Sequence, residues 1–268
     1  MLDGRLSKQI PADEICSHGS LRTSGMKAQF STTQWSQVLA ARDGAGTEAR
    51  QALAVLCETY WYPLYVFVRR EGYDADAARD LTQGFFAYLL EKEVLQQVQP
   101  SAGRFRSFLL ATLRHFISRE RGKDQALKRG GGTQTISVDA AAAEARYDLE
   151  PTDELTPEQV FESRWAMTVL DRAMERLRQE SGESGDLERF QKLQPYLTGQ
   201  KPRLPYNEIA VELQMTEGAV KTAVYRMRQQ FGLNLRQEIA ETVADPSEID
   251  DEVRYLLSVL RPFQNAPA

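Results

Sequence analysis

The chain has 268 residues, of which 42% are hydrophobic and 26% are charged, as in ordinary globular proteins and unlike low-complexity chains. Its formal net charge of -5 argues mildly against nucleic acid as a partner, although an average over the whole chain can conceal local patches. Two cysteines (Cys16 and Cys57) and two histidines (His18 and His115) give little support to a disulfide framework, a zinc site or histidine-based metal catalysis.

The first 28 residues are predicted to form a flexible tail, because they show little apolar periodicity and end close to Gly25. They lack the apolar core of a signal peptide, and no segment of the sequence is apolar for long enough to span a bilayer. These features predict a cytoplasmic protein with no membrane partner.

Helical periodicity dominates residues 29–130. Apolar residues recur at intervals of three and four from Ala52 to Val68, in a helix that we expect to bend or break around Pro63. Acidic residues from Asp74 onward then open a second helix, where negative charge suits the helix dipole. No strand pattern is visible, so this block is predicted to be helical.

A strongly basic segment runs from Arg104 to Arg129. Its eight basic and two acidic residues (8 − 2) give a local charge of +6 on an acidic chain. The basic residues are Arg104, Arg106, Arg114, Arg119, Arg121, Lys123, Lys128 and Arg129. We expect this charge to neutralise nucleic-acid phosphates, the alternative being a solvated helix face. Phe105, Phe108 and Phe116 have helical spacing, which favours a place in the core over base stacking.

Residues 131–158 change character. Between Thr133 and Pro157, six acidic residues accompany the single Arg146, and an alanine run and two prolines interrupt the segment. Such a composition is typical of a flexible linker, so the sequence predicts a domain boundary here.

Residues 159–238 contain a helix-turn-helix pattern between Tyr206 and Arg228. Thr216 is predicted to cap the second helix, and Gln214 stands where such turns usually place glycine. Gln214 must therefore accept a left-handed backbone, or the turn must differ slightly. The inward-facing residues of the two helices are predicted to be Ile209, Ala210, Leu213, Val220, Ala223, Val224 and Met227.

The outward face of the second helix carries short polar residues near its start and basic residues further along. This face and its flanks comprise Glu217, Gly218, Lys221, Thr222, Tyr225, Arg226 and Arg228. Arginine and lysine on such a helix can reach guanine edges or phosphates in the major groove. The alternative is a pair of packed amphipathic helices with a solvated charged face, and the motif alone does not say which machine would use it.

The order and spacing of these blocks resemble the sigma-70 family of RNA polymerase sigma factors, and within it the extracytoplasmic-function type. The residues that carry the resemblance are DAARDLTQGFFAYLL (76–90), GRFRSFLLATLRHFISRER (103–121) and EGAVKTAVYRMR (217–228). They are similar to the family's core-polymerase-binding helix, its minus-ten recognition and promoter-melting helix, and its minus-thirty-five recognition helix.

The resemblance implies three sets of binding residues. The core-polymerase-binding set is Asp76, Asp80, Gln83 and Phe86. The minus-ten set is Arg104, Arg106, Arg114, His115, Ser118, Arg119, Arg121 and Lys123. The minus-thirty-five set is Thr216, Glu217, Gly218, Lys221, Thr222, Tyr225, Arg226 and Arg228. The implied partners are core RNA polymerase and promoter DNA in a bacterial cytoplasm, and the sequence leaves an anti-sigma partner open.

The predicted fold is all-α, with two helical domains joined by an acidic flexible linker. A sigma region 2-like bundle would occupy residues 29–130, the linker 131–158, and a sigma region 4-like helix-turn-helix domain 159–238. The N-terminal tail (1–28) and the C-terminal extension (239–268) lie outside the family's minimal core, and the sequence leaves a regulatory role open for both without assigning one.

Three other functional classes compete with this prediction. An autonomous helix-turn-helix regulator would explain the second block but would leave the first without a role. A protein-binding adaptor with a degenerate motif is disfavoured by Arg226 and Arg228. An enzyme is not expected, and neither is a cofactor, because Gly130–Gly132 lacks the Lys-Ser/Thr of a phosphate loop and two histidines offer no catalytic triad.

Overall fold

The computed structural model describes residues 47–89, 104–126, 140–147, 155–197, 204–243 and 245–264. Side chains are described within 59–89, 104–122, 143–147, 155–197, 204–243 and 245–260. The predicted N-terminal tail lies outside these residues, as do most of the predicted linker and the side chain of Lys123.

Helices and turns make up the described ranges, with no strand among them, which confirms the all-α prediction. The α-helices are α1 (Thr47–Arg70), α2 (Ala75–Leu89), α3 (Phe105–Ala126), α4 (Ala140–Tyr147), α5 (Pro157–Glu183), α6 (Leu187–Leu193), α7 (Tyr206–Glu212), α8 (Glu217–Ala240) and α9 (Ile249–Gln264). Short 3-10 helices occupy Gln194–Tyr196 and Pro246–Glu248. Pro63 lies inside α1, and the helix continues through it, so α1 does not end at this proline.

The described residues fall into two compact units. The basic-helix unit comprises the described residues of Phe30–Val169 and Ile239–Ala268, and the helix-turn-helix unit comprises those of Leu170–Glu238. The division falls within α5 and α8, so each of these helices contributes to both units. The sequence predicted that residues 239–268 form a separate C-terminal extension. In the structure, the described residues from Ile239 onward belong to the basic-helix unit.

Aromatic and aliphatic side chains of α1, α2 and α3 build the core of the basic-helix unit. The Tyr60 and Phe105 rings meet edge to face at 5.4 Å, and the Phe85 and Phe116 ring centroids lie 5.9 Å apart. Because Phe105 and Phe116 are buried, their predicted place in the core is confirmed, whereas Phe108 is half-buried.

Helix α4 lies within the predicted flexible linker, yet it packs on α1. The Tyr65 hydroxyl donates a hydrogen bond to Glu144, and Arg69 Nη2 lies 2.6 Å from Glu144 Oε1. The Arg69 guanidinium also stacks over the Tyr147 ring at 4.5 Å. One of the linker's acidic residues is thus committed to an ion pair, which gives this part of the segment a fixed place on the unit.

The helix-turn-helix unit has its own apolar core, to which α5, α6, α7 and α8 contribute. Its buried residues are Leu177, Phe190, Leu193, Tyr196, Leu197, Ile209, Ala210, Val220 and Val224. The inward positions predicted for α7 and α8 are among them or pack against them, so the amphipathic pattern located this core correctly.

Candidate nucleic-acid interface

The turn between α7 and α8 has the backbone geometry that the motif requires. Gln214 takes a left-handed conformation, with φ of 53°, which confirms the first alternative predicted for it. The Met215 N–H donates to the Ala210 carbonyl (2.9 Å) and the Gln214 N–H to the Val211 carbonyl (3.1 Å). These two bonds form a Schellman motif, which satisfies carbonyls that the end of α7 would otherwise leave unpaired.

Thr216 caps the start of α8, as predicted. The Ala219 N–H donates to Thr216 Oγ1 at 3.2 Å, and Glu217 places a negative charge in the first turn. Cap and turn together fix where α8 begins, and therefore which of its side chains face solvent.

Most of the predicted outward residues of α8 are exposed to solvent. These are Glu217, Gly218, Lys221, Thr222, Tyr225 and Arg226. Lys221 Nζ lies 2.7 Å from Glu217 Oε1, and this contact raises the pKa of the Lys221 ammonium. Arg226 forms no ion pair with another described residue, so its guanidinium remains available. The exposed face thus offers one paired cation and one unpaired cation.

Arg228 is less exposed than the rest of this face, and its predicted contact with DNA stays a prediction. Its Nη2 donates to the Tyr196 carbonyl at 3.0 Å, and the side chain is half-buried. The guanidinium therefore ties α8 to the end of the 3-10 helix Gln194–Tyr196. Sequence spacing placed it at the edge of the outward face without revealing this inward partner.

Helix α3 exposes five of the residues predicted for the minus-ten set. These are Arg114, His115, Ser118, Arg119 and Arg121. The Arg119 guanidinium lies 4.3 Å from the centre of the Tyr88 ring, and Arg121 Nε donates to the Tyr73 hydroxyl at 2.5 Å. Tyrosines from outside α3 thus hold two arginines at the surface, where cations interleaved with rings suit a single strand.

Arg106 is buried, so in this arrangement it is not open to DNA, unlike the exposed members of its predicted set. Its side chain is 2% exposed, and its Nε lies 2.6 Å from Glu162 Oε2. Its Nη1 pairs with Glu252, and the guanidinium carbon lies 4.5 Å from the centre of the Trp165 ring and 4.3 Å from that of Tyr255. Both carboxylates come from distant parts of the chain, so the local pattern around Arg106 could not predict them.

The other four described arginines of the basic segment also lie near carboxylates, with Arg119 Nε 3.6 Å from Glu120 Oε1 and Arg121 Nη2 3.7 Å from Glu71 Oε2. Arg104 Nε lies 2.8 Å from Glu252 Oε2, and Arg114 pairs with Glu158 while remaining half-exposed. Sequence reasoning missed these acids. The sequence does indicate that Glu252 faces inward, because it lies four residues before Leu256 on the apolar face of an amphipathic helix. The pattern does not indicate which residue it pairs with.

The residues of α2 predicted to bind polymerase differ in their exposure to solvent. The Asp76 and Asp80 side chains are 84% and 73% exposed, and Arg79 lies between them at 2.9 and 3.6 Å. Gln83 is half-buried. Phe86 is completely buried in the core, which corrects its prediction as a partner contact. Asp76 and Asp80 are thus the accessible members of the set.

No protein-family model matches the chain, and no curated protein or solved structure matches it. In the described ranges, no group of three or more His, Cys, Asp or Glu side chains could hold a metal ion. None of the helices in those ranges is both long and apolar enough to cross a membrane.

Proposed function

We propose that the protein is an RNA polymerase sigma factor of the sigma-70 family, extracytoplasmic-function type, which binds core polymerase and directs promoter recognition and melting. The observation that carries the proposal is the helix-turn-helix, with its left-handed Gln214, its Thr216 cap and the exposed polar face of α8. That face has the form of a recognition helix, whose early residues read base edges in the major groove.

On α8, Arg226 is the strongest candidate for a base or phosphate contact, because it is exposed and unpaired among the described residues. Lys221 must first exchange its Glu217 partner for a phosphate. Both groups are about half exposed, and an exposed ion pair contributes little to stability, so this exchange costs little. In this proposal the minus-thirty-five contacts are Thr216, Glu217, Gly218, Lys221, Thr222, Tyr225 and Arg226.

On α3, the exposed residues Arg114, His115, Ser118, Arg119 and Arg121 would hold the displaced strand of the minus-ten element. Opening base pairs costs several kcal/mol, and binding of the extruded bases on a preorganised surface offsets part of it. Tyr73 and Tyr88 hold Arg121 and Arg119 in place before any DNA arrives, which lowers the entropy cost of binding. No covalent step is required.

On α2, the exposed carboxylates of Asp76 and Asp80 would dock on a basic surface of core polymerase. Electrostatic complementarity of this kind sets partner choice and association rate. Arg79 pairs with both acids, so these two contacts would have to break when the acids bind polymerase.

A pull-down with purified core RNA polymerase tests the assignment of α2. The wild type should bind core stoichiometrically, and Asp80→Arg should abolish binding by opposing a basic partner. Asp251→Arg is the matched control, because Asp251 is also exposed (64%) and belongs to the same unit. Retention of core by Asp80→Arg would refute docking through α2. Tight binding of the free protein to duplex DNA without core binding would instead indicate an autonomous regulator.

A further inference from the structure

The beginning of the basic helix is covered by the chain's own acids. On α5, Glu158 pairs with Arg114 and Glu162 pairs with Arg106. On α9, Glu252 pairs with both Arg104 and Arg106. Further along α3, Arg119 and Arg121 lie beside tyrosines, have looser carboxylate neighbours in Glu120 (3.6 Å) and Glu71 (3.7 Å), and are about half exposed. Among the described arginines of this segment, Arg106 is buried (2% exposed), whereas Arg104 (38%) and Arg114 (49%) are partly open to solvent.

Glu252 is the most deeply buried of these acids. Its side chain is 1% exposed, although it lies at the start of a helix whose neighbouring acids Glu248, Asp250 and Asp251 face solvent. Tyr255, one turn further along α9, covers the guanidiniums of both Arg104 (5.1 Å) and Arg106 (4.3 Å). One carboxylate and one ring of α9 thus engage two arginines of the basic segment.

Apolar residues hold α9 in this position. Val253 and Leu256 are completely buried and Leu260 is 8% exposed, while Arg254 and Ser258 on the other side of the helix face solvent. Helix α9 therefore has one face packed within the basic-helix unit and one free face. A few buried apolar residues and the ion pairs at its start hold α9 against the rest of the unit. Loss of these charges should therefore weaken the packing of α9.

We propose that α9 is an autoinhibitory cover in which Glu252 occupies, on Arg104 and Arg106, the place of phosphates of single-stranded DNA. A carboxylate and a phosphate make the same charge-assisted contacts with a guanidinium, so the two compete for one site. Displacement of α9 removes Glu252 and Tyr255 from both arginines, next to the exposed residues of α3, while Glu162 of α5 remains beside Arg106. The proposal rests on the proposed function, in which α3 binds the displaced strand.

Neutralising Glu252 in the full-length protein tests the cover. Glu252→Gln keeps the side-chain shape but removes the charge. It should raise the affinity for a fluorescein-labelled single-stranded oligonucleotide about tenfold and steepen the salt slope by about 1.4, two contacts at about 0.7 each. Asp251→Asn is the matched control, with the same charge change on the adjacent, exposed residue, and should change affinity less than about twofold. Equal effects of the two variants, or no effect of Glu252→Gln, would overturn the proposal.

Hydrogen exchange on the wild type provides a second test that does not depend on a variant folding. Saturating oligonucleotide should accelerate exchange of the amides of α9, which must leave its seat for the arginines to be occupied. If these amides exchange as before or more slowly, α9 stays in place and is not a cover. The core pull-down separates the two proposals. If the protein binds core but Glu252→Gln does not change the affinity for the oligonucleotide, only the autoinhibitory role of α9 is refuted. If Glu252→Gln raises that affinity but the protein does not bind core, only the sigma-factor assignment is refuted.

Discussion

The cations of the two units are held in different ways. On α8, Lys221 meets a single exposed carboxylate and Arg226 faces solvent unpaired among the described residues. On α3, Arg106 is enclosed by two carboxylates and two aromatic rings. Both helices carry basic residues on an acidic chain, so the presence of basic residues does not predict how each one is held. The comparison teaches that burial and partners from distant segments decide whether a basic residue is open to DNA in this arrangement.

The largest expected effect is on stability, from removal of Arg106. Arg106→Ala leaves Glu162 and Glu252 without their shared cation, and breaking a buried pair from one side costs about 3–5 kcal/mol. Arg114→Ala, at the half-exposed pair with Glu158, should cost at most about 1 kcal/mol. Urea denaturation of both variants measures the difference. Similar free energies of unfolding would show that Arg106 is not an interior ion-pair residue.

The next effect is on DNA binding, from removal of Arg226. Arg226→Ala should weaken binding to the upstream promoter element by about 1–3 kcal/mol if it contacts a base, or reduce the salt slope by about one if it contacts a phosphate. Core binding should be unchanged. Arg178→Ala is the control, since Arg178 is 47% exposed in the same unit but pairs with Glu175. An Arg226→Ala variant with wild-type affinity and slope would remove Arg226 from the interface.

A smaller effect should follow from removal of the cap of α8. Thr216→Ala deletes the acceptor of the Ala219 N–H and should destabilise the protein by about 1 kcal/mol, whereas Thr216→Ser retains the acceptor and should be close to neutral. Thermal unfolding of the two variants measures this directly. Equal melting temperatures for Thr216→Ala and the wild type would contradict the cap.

The smallest effect concerns an exposed pair and its pH dependence. Hydrogen bonds from Arg178 and then Gln179 lower the pKa of Glu175 to about 2. Because the folded-state pKa is depressed, any stabilisation by this pair is present above the ordinary carboxyl pKa and is lost as pH falls toward 2. NMR titration should show Glu175 returning toward its ordinary pKa of about 4.3 in Arg178→Ala. An unchanged Glu175 titration would contradict the Arg178 contact.

Much of the fold follows from local patterns in the sequence. Apolar spacing and turn chemistry predicted the helices, the inward residues of α7 and α8, the left-handed Gln214 and the Thr216 cap. Each of these depends on residues only a few positions apart. The fate of Arg106, Arg228 and Phe86 depends on partners elsewhere in the chain, such as Glu252 and the Tyr196 carbonyl. Periodicity gives the face on which a residue lies, but not what covers that face.

The measurement that tests the central claim most directly is promoter run-off transcription by core polymerase supplemented with this protein. The proposal predicts transcripts that begin at one start site and that disappear when the protein is omitted or carries Asp80→Arg. Transcription that starts at random, or at the same sites with and without the protein, would contradict the assignment as a sigma factor.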